Sequence, residues 1–91
     1  MIKLIEIYES SQQYVLREIY VSPKHIVSLR EDERYKQKLH EGVLPGELDE
    51  KHRFTKVTLN KGATGQEIIV VGEPSLIESR LNGDQRELLH G

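Results

Sequence analysis

FTKVTLNKGATGQEIIVVG, residues Phe54 to Gly72, is the stretch whose reading decides the fold. In Phe54 to Asn60, Thr55, Val57 and Leu59 alternate with Phe54, Lys56 and Thr58, the two-residue period of a strand with distinct faces. Lys61 to Gly65 supplies turn residues, because glycine takes positive φ without steric cost. Gln66 to Gly72 is the most apolar run and the candidate for the sheet centre. The stretch predicts a β-hairpin over 54–72.

Upstream, Ile2 to Tyr8 is rich in Ile, Leu and Tyr, which suits a strand. Glu9 to Gln13 is a polar break of hairpin-loop length. Tyr14 to Val21 follows as a second strand, with Val15, Ile19 and Val21 on one face and Tyr14, Leu16 and Tyr20 on the other. Both faces carry apolar groups, so cover on two sides is expected, while Arg17 and Glu18, one on each face, place at least part of the strand near solvent. Tyr20 is expected in the core. Ser22-Pro23 stops the strand, since proline lacks the ladder N–H, and Pro23, Lys24 and His25 form a tight turn with Ser22 as local cap. Ile26 to Arg30 resumes extended structure.

Downstream, Pro74 to Leu81 reads as a short helix. It starts with Pro74 in the first turn, or with Ser75 as cap and Glu78 three residues on, and stops at Asn82-Gly83. Leu76, Ile77, Arg80 and Leu81 share one side, an apolar stripe for the sheet. Asp84 to Gly91 is expected to be a flexible tail. The fold class is therefore mainly β (α+β): a small antiparallel sheet or partly open barrel of about five strands with one short C-terminal helix. Residues 1–83 form a single domain.

One segment departs from this pattern. Glu31 to Arg53 is dense in both charge signs, and its apolar residues are Tyr35, Leu39, Val43, Leu44 and Leu48. Tyr35 and Leu39 allow one helical turn before Gly42, Pro45 and Gly46 end it. We read 31–53 as a long loop or excursion between two strands, and expect removal of Asp32 to Glu50, with the gap closed by a short turn, to spare the fold while abolishing partner capture. Long loops in small domains often carry function.

Composition narrows the chemistry. With no cysteine among 91 residues, disulfides and thiolate ligands are excluded. No segment approaches the roughly 20 apolar residues of a membrane span, and the opening MIKLIEIYES is too short and acidic for a signal peptide. A cytoplasmic location is expected. A net charge of −2 does not call for nucleic acid.

The four histidines, His25, His40, His52 and His90, are spread along the chain without HxxxH spacing. No metal site or other cofactor is expected. Ser22 and His25 are near neighbours, yet the proline turn accounts for both. The carboxylates at Glu31, Asp32, Glu33, Glu47, Asp49 and Glu50 alternate with basic residues, as a solvated face does. Gly62-Ala63-Thr64-Gly65 precedes a strand, whereas a phosphate loop would lead a lysine into a helix. Enzymatic activity is therefore not expected.

The runs YVSPKHIVSL, FTKVTLNKG and EIIVVGEPSLIESRL resemble the small flagellar and swarming-motility (FlbD-type) proteins. The resemblance covers about half the chain, in two blocks: Val21-Ser22-Pro23 with His25-Ile26, and Val57 to Gly62 with Ile68 to Leu81. It implies a β topology and a regulatory or motor-associated role, and carries over no catalytic residue. Two features depart from the family pattern, the inserted Glu31 to Arg53 and a longer N-terminal strand pair.

The function expected from the residues is a non-enzymatic binding or regulatory module acting through protein contacts. Its candidate partner-binding residues are Arg34, Tyr35, Lys38, Leu39, Val43, Leu44 and Leu48. A strand edge could also recruit a peptide or a second copy, giving a homo-oligomer. The alternative is a nucleic-acid-binding regulator using Arg17, Lys24, Lys56 and Lys61, with Lys3, as a strand-borne basic set.

Overall fold

The computed structural model describes the backbone of residues 1–61 and 64–90, and the side chains in that range other than 61, 64 and 84–90. The strands are β1 (Ile2–Ser10), β2 (Gln13–Val21), β3 (Ile26–Glu31), β4 (Phe54–Lys61) and β5 (Thr64–Val71), and the helices are α1 (Glu33–His40) and α2 (Pro74–His90). The strands form one open antiparallel sheet in the order β2-β1-β5-β4-β3. The most apolar strand, β5, takes the central place, as its composition predicts. The predicted 54–72 hairpin is present: the β4–β5 register closes at Lys61↔Thr64. Gly62 and Ala63 of the expected turn lie outside the described residues.

The β1–β2 turn is tighter than the polar run suggests. Ser10 pairs with Gln13, leaving only Ser11 and Gln12 between the strands, at φ 46° and 70°. Positive φ at both central residues marks a type I′ hairpin, whose twist matches the strands it joins. Pro23–His25 forms a single 3₁₀ turn closed by His25 N–H donating to Ser22 O at 3.0 Å. The Ser22 hydroxyl makes no capping bond, contrary to expectation; the short turn is closed through the Ser22 carbonyl.

The sheet is strongly coiled. Among the described residues β1 pairs β5 only at Glu6↔Val70 and Ile7↔Ile69. A flat sheet continuing that register would set Gln66 opposite Ser10, roughly 30 Å from Met1 at 3.3 Å per residue. Instead Met1, Val21, Leu59 and Gln66 line one hollow of about 290 Å³. The β1–β2 hairpin therefore folds back over β4 and β5. This puts Ile2, Leu4 and Val21 into one core with Val57, Leu59, Ile68 and Val70.

Ile77 of α2 is fully buried in that core and Leu81 packs on it, while Leu76 is exposed. Burying an isoleucine contributes about 1.5–3 kcal/mol. Of the two starts expected for α2, Pro74 in the first turn is the one observed, with Leu76 and Ile77 N–H donating to Glu73 O. Arg80 donates to Lys3 O at 3.3 Å, supplying a partner where β1 has left β5.

The expected stop at Asn82-Gly83 is absent, because α2 continues to His90. Gly83 does not take the left-handed φ of a C-terminal cap, and a helical glycine costs only about 1 kcal/mol. The side chains from Asp84 onward, where a flexible tail is expected, lie outside the described residues, as does Gly91.

The charged excursion is only partly a loop: Glu33–His40 is helical, and 41–53 runs through turns to β4. Asp32 is buried and accepts from Tyr35 N–H at 3.1 Å, capping a helix of two turns over Glu33–His40. Gly42 at φ 76° ends the helix. Gly42 N–H donates to Leu39 O and Val43 N–H to Lys38 O, a Schellman closure. Lys36 Nζ then donates to the carbonyls of Glu50 and His52, tying α1 to the returning chain.

The segment thereby covers the second face of the sheet. Leu44 joins Ile7 and Phe54 in a second core, with Tyr35, Leu39 and Leu48 against Tyr14, Leu16, Ile69 and Val71. The helix is hidden in the sequence because its capping group, Asp32, reads as one more charge in a charged run. Tyr20 is not in either core. It lies on the same strand face as Tyr14 and Leu16, but 63% exposed, at the end that the excursion does not cover.

Candidate functional site at the free edge of β2

β2 is one of the two outer strands of the sheet and, among the described residues, pairs only with β1. In a two-residue hairpin the pair flanking the turn is hydrogen-bonded, and bonded pairs then alternate along the ladder. From Ser10↔Gln13, the bonded pairs are Tyr8↔Val15, Glu6↔Arg17, Leu4↔Ile19 and Ile2↔Val21. The backbone groups of Tyr14, Leu16, Glu18 and Tyr20 therefore point away from β1, along an edge that no other strand pairs among the described residues. The sequence suggests a recruiting strand edge but not its identity, because nothing local states which of five strands lies outermost.

Two clefts flank the edge, and Tyr14 is common to both. One, of about 600 Å³, lies between Gln13 to Leu16 and Pro45 to Glu47. The other, of about 520 Å³, is lined by Tyr14, Arg34, Tyr35, Gln37, Lys38 and Glu41. The Tyr14 and Tyr35 rings meet edge to face at 6.0 Å and 83°, and Tyr35 leans on Phe54 at 6.3 Å. Lys38 Nζ stands 5.7 Å from the Tyr14 ring and 5.8 Å from that of Tyr35, at the outer limit of cation–π attraction. Burial pushes the Tyr35 phenol above its ordinary pKa, with Tyr14 adding to the effect and Lys38 opposing it.

The predicted partner-binding residues separate into two groups. Tyr35, Leu39, Leu44 and Leu48 turn inward and hold the second core, so their apolar surface is largely spent on the fold. Arg34 and Val43 are exposed, and Lys38 lines the aromatic cleft. Apolar residues in a charged segment signal burial as readily as binding, and here burial dominates.

The basic set does not converge. Arg17 donates to Glu6 at 2.7 Å and lies 3.7 Å over the Tyr8 ring. Lys3 pairs with Glu18 at 2.9 Å, which raises its pKa. Lys24 is exposed on the 3₁₀ turn, and Lys56 approaches Glu67 at 4.0 Å on the face opposite Val57. The Lys61 side chain lies outside the described residues. Arg17 shares its face of β2 with Val15 and Ile19, while Lys3 is on the opposite face of the hairpin.

The histidine and serine candidates have local roles. His52 Nδ1 accepts from Asp49 N–H at 2.9 Å within its own turn, and His25 closes the turn onto Ser22 through the backbone. Among the described residues no helix is long and apolar enough to cross a membrane. Neither family models, curated proteins nor solved structures match the chain.

Proposed function

We propose that this protein is a non-enzymatic, regulatory binding module that captures an extended segment of a protein partner as an added strand on β2. The observation that carries the reading is the outward row of backbone groups at Tyr14, Leu16, Glu18 and Tyr20 beside two open clefts. Strand addition takes affinity from main-chain hydrogen bonds and specificity from pockets for alternate side chains. The Gln13–Leu16/Pro45–Glu47 cleft would take one such side chain and the Tyr14–Tyr35–Lys38 cleft another. Aromatic anchors of this kind are enriched at protein interfaces. The motility-associated setting implied by the FlbD-type resemblance, and a cytoplasmic location, belong to the same proposal.

The test uses peptides displayed on phage and selected against the whole protein. A selected peptide should slow hydrogen exchange at the amides of Tyr14, Leu16, Glu18 and Tyr20. Glu18→Pro should abolish its binding, because that N–H points outward and its loss leaves the β1 ladder intact. Peptides that bind Glu18→Pro as well as wild type, or protect other amides, would reject the reading.

A further inference from the structure

Edge strands in soluble proteins are ordinarily guarded by a bulge, a proline or a projecting charge. The other edge strand, β3, follows this rule, with an irregularity between Ile26 and Ser28 that breaks its ladder with β4. β2 runs nine residues in unbroken register and contains no proline. Its two charges are each neutralised from β1, Arg17 by Glu6 at 2.7 Å and Glu18 by Lys3 at 2.9 Å. Around them Tyr8, Val15 and Tyr20 are exposed apolar groups on the same hairpin. This edge is long, regular, locally neutral and apolar, so it suits a partner of the same character.

We infer that the strand added to β2 is β2 of a second copy, antiparallel and centred on Leu16, joining two sheets across a two-fold axis. The inference rests on the strand-addition reading and names its partner. Outward-facing residues must pair with outward-facing residues, which restricts the symmetric registers. Centring on Arg17 sets Arg17 against its own copy, and centring on Glu18 does the same with a carboxylate. Like charges directly opposite one another are destabilising.

Centring on Leu16 sets Leu16 against Leu16, Tyr14 against Glu18 and Val15 against Arg17. It is the longest symmetric register without opposed like charges. Its three bonded pairs would supply about six hydrogen bonds at two per pair. An isologous contact of this kind closes as a dimer, leaving β3 as the outer edge on both sides.

The test is sedimentation velocity on the full chain from micromolar to millimolar concentration, with hydrogen exchange read by NMR at both ends. Wild type should pass from monomer to dimer, with the amides of Tyr14, Leu16 and Glu18 becoming protected together and that of Tyr20, opposite the partner's turn, left unprotected. Two variants report the register without touching the backbone. Val15→Glu, placed opposite the partner's Arg17, should tighten the dimer several-fold, and Val15→Arg should weaken it at least ten-fold. Thermal melts of both monomers control for folding.

A monomer at every concentration overturns the second-copy inference. The strand-addition reading survives that result if the phage-selected peptides protect the outward amides of Tyr14, Leu16, Glu18 and Tyr20, and falls with it if they do not. A dimer indifferent to both Val15 variants, or protected elsewhere, overturns the inference as well.

Discussion

Glu6 and Arg17 face each other across the β1–β2 ladder, with Arg17 Nε donating to Glu6 Oε1 at 2.7 Å. The carboxylate is buried and the guanidinium half exposed, resting on the Tyr8 ring. Removing one partner of a fully buried pair costs about 3–5 kcal/mol, but water can reach Glu6 through the gap left by Arg17, so Arg17→Ala should cost about 1–3 kcal/mol. Replacing both, Glu6→Leu with Arg17→Met, should recover most of that loss, because no buried charge is left unpaired. Urea denaturation of the three proteins checks both statements.

The Ser11–Gln12 turn holds two residues in the left-handed region without a glycine. Asn-Gly is the pair that a type I′ turn favours. Ser11→Asn with Gln12→Gly should raise stability by about 0.5–1 kcal/mol, whereas β-branched Ser11→Val should lower it. The midpoint of urea denaturation should move in opposite directions for the two variants.

Gly72 links β5 to α2 at φ 121°, and a Cβ there would stand 3.3 Å from Leu76 Cδ2 and 3.5 Å from Ile77 Cδ1. Strain at such a φ costs about 1–3 kcal/mol. Gly72→Ala should lose stability in that range and loosen α2 first. Faster hydrogen exchange at the amides of Leu76 and Ile77 would show it.

Arg53 ties the end of β3 to the start of α2. It donates to both oxygens of Glu31 at 2.6 Å and also to Glu73. The hydrogen bond from Arg53 holds the Glu31 carboxyl below the ordinary range. A carboxylate with a lowered folded pKa adds stability above its unfolded pKa and loses it as pH falls through the folded one. Stability should therefore decline below about pH 4.3, the ordinary glutamate value, and the decline should be shallower in Glu31→Gln. Because the pair is solvated, the effect should shrink with added salt.

Deleting Asp32 to Glu50 should not spare the fold, although the sequence suggests that it would. Leu44, Tyr35, Leu39 and Leu48 shelter Ile7 and the fully buried Phe54, so the shortened chain would expose that entire face. Aggregation, or a melting transition lost relative to wild type, is the expected outcome. A soluble, cooperatively folding deletion would contradict the second core.

Much of the fold is legible in the chain. The two-residue alternation in Phe54 to Gly72 and Tyr14 to Val21 sets the strand faces correctly, because burying one face of a pleated strand constrains every second residue. Val15, Ile19 and Val21 share one face and Tyr14, Leu16 and Tyr20 the other, as the register confirms. Pro23 and Gly42 end their elements through their own φ and missing donor or Cβ, properties that no context alters.

What the chain could not state by itself depends on who stands beside whom. Tyr14 and Tyr20 are equivalent by periodicity, yet α1 covers one and leaves the other to solvent. The open edge of β2 likewise follows from the order β2-β1-β5-β4-β3 and from the coiling of the hairpin over β4 and β5. Alternation constrains which way a side chain points. Only the packing of segments distant in sequence decides whether anything waits there to meet it.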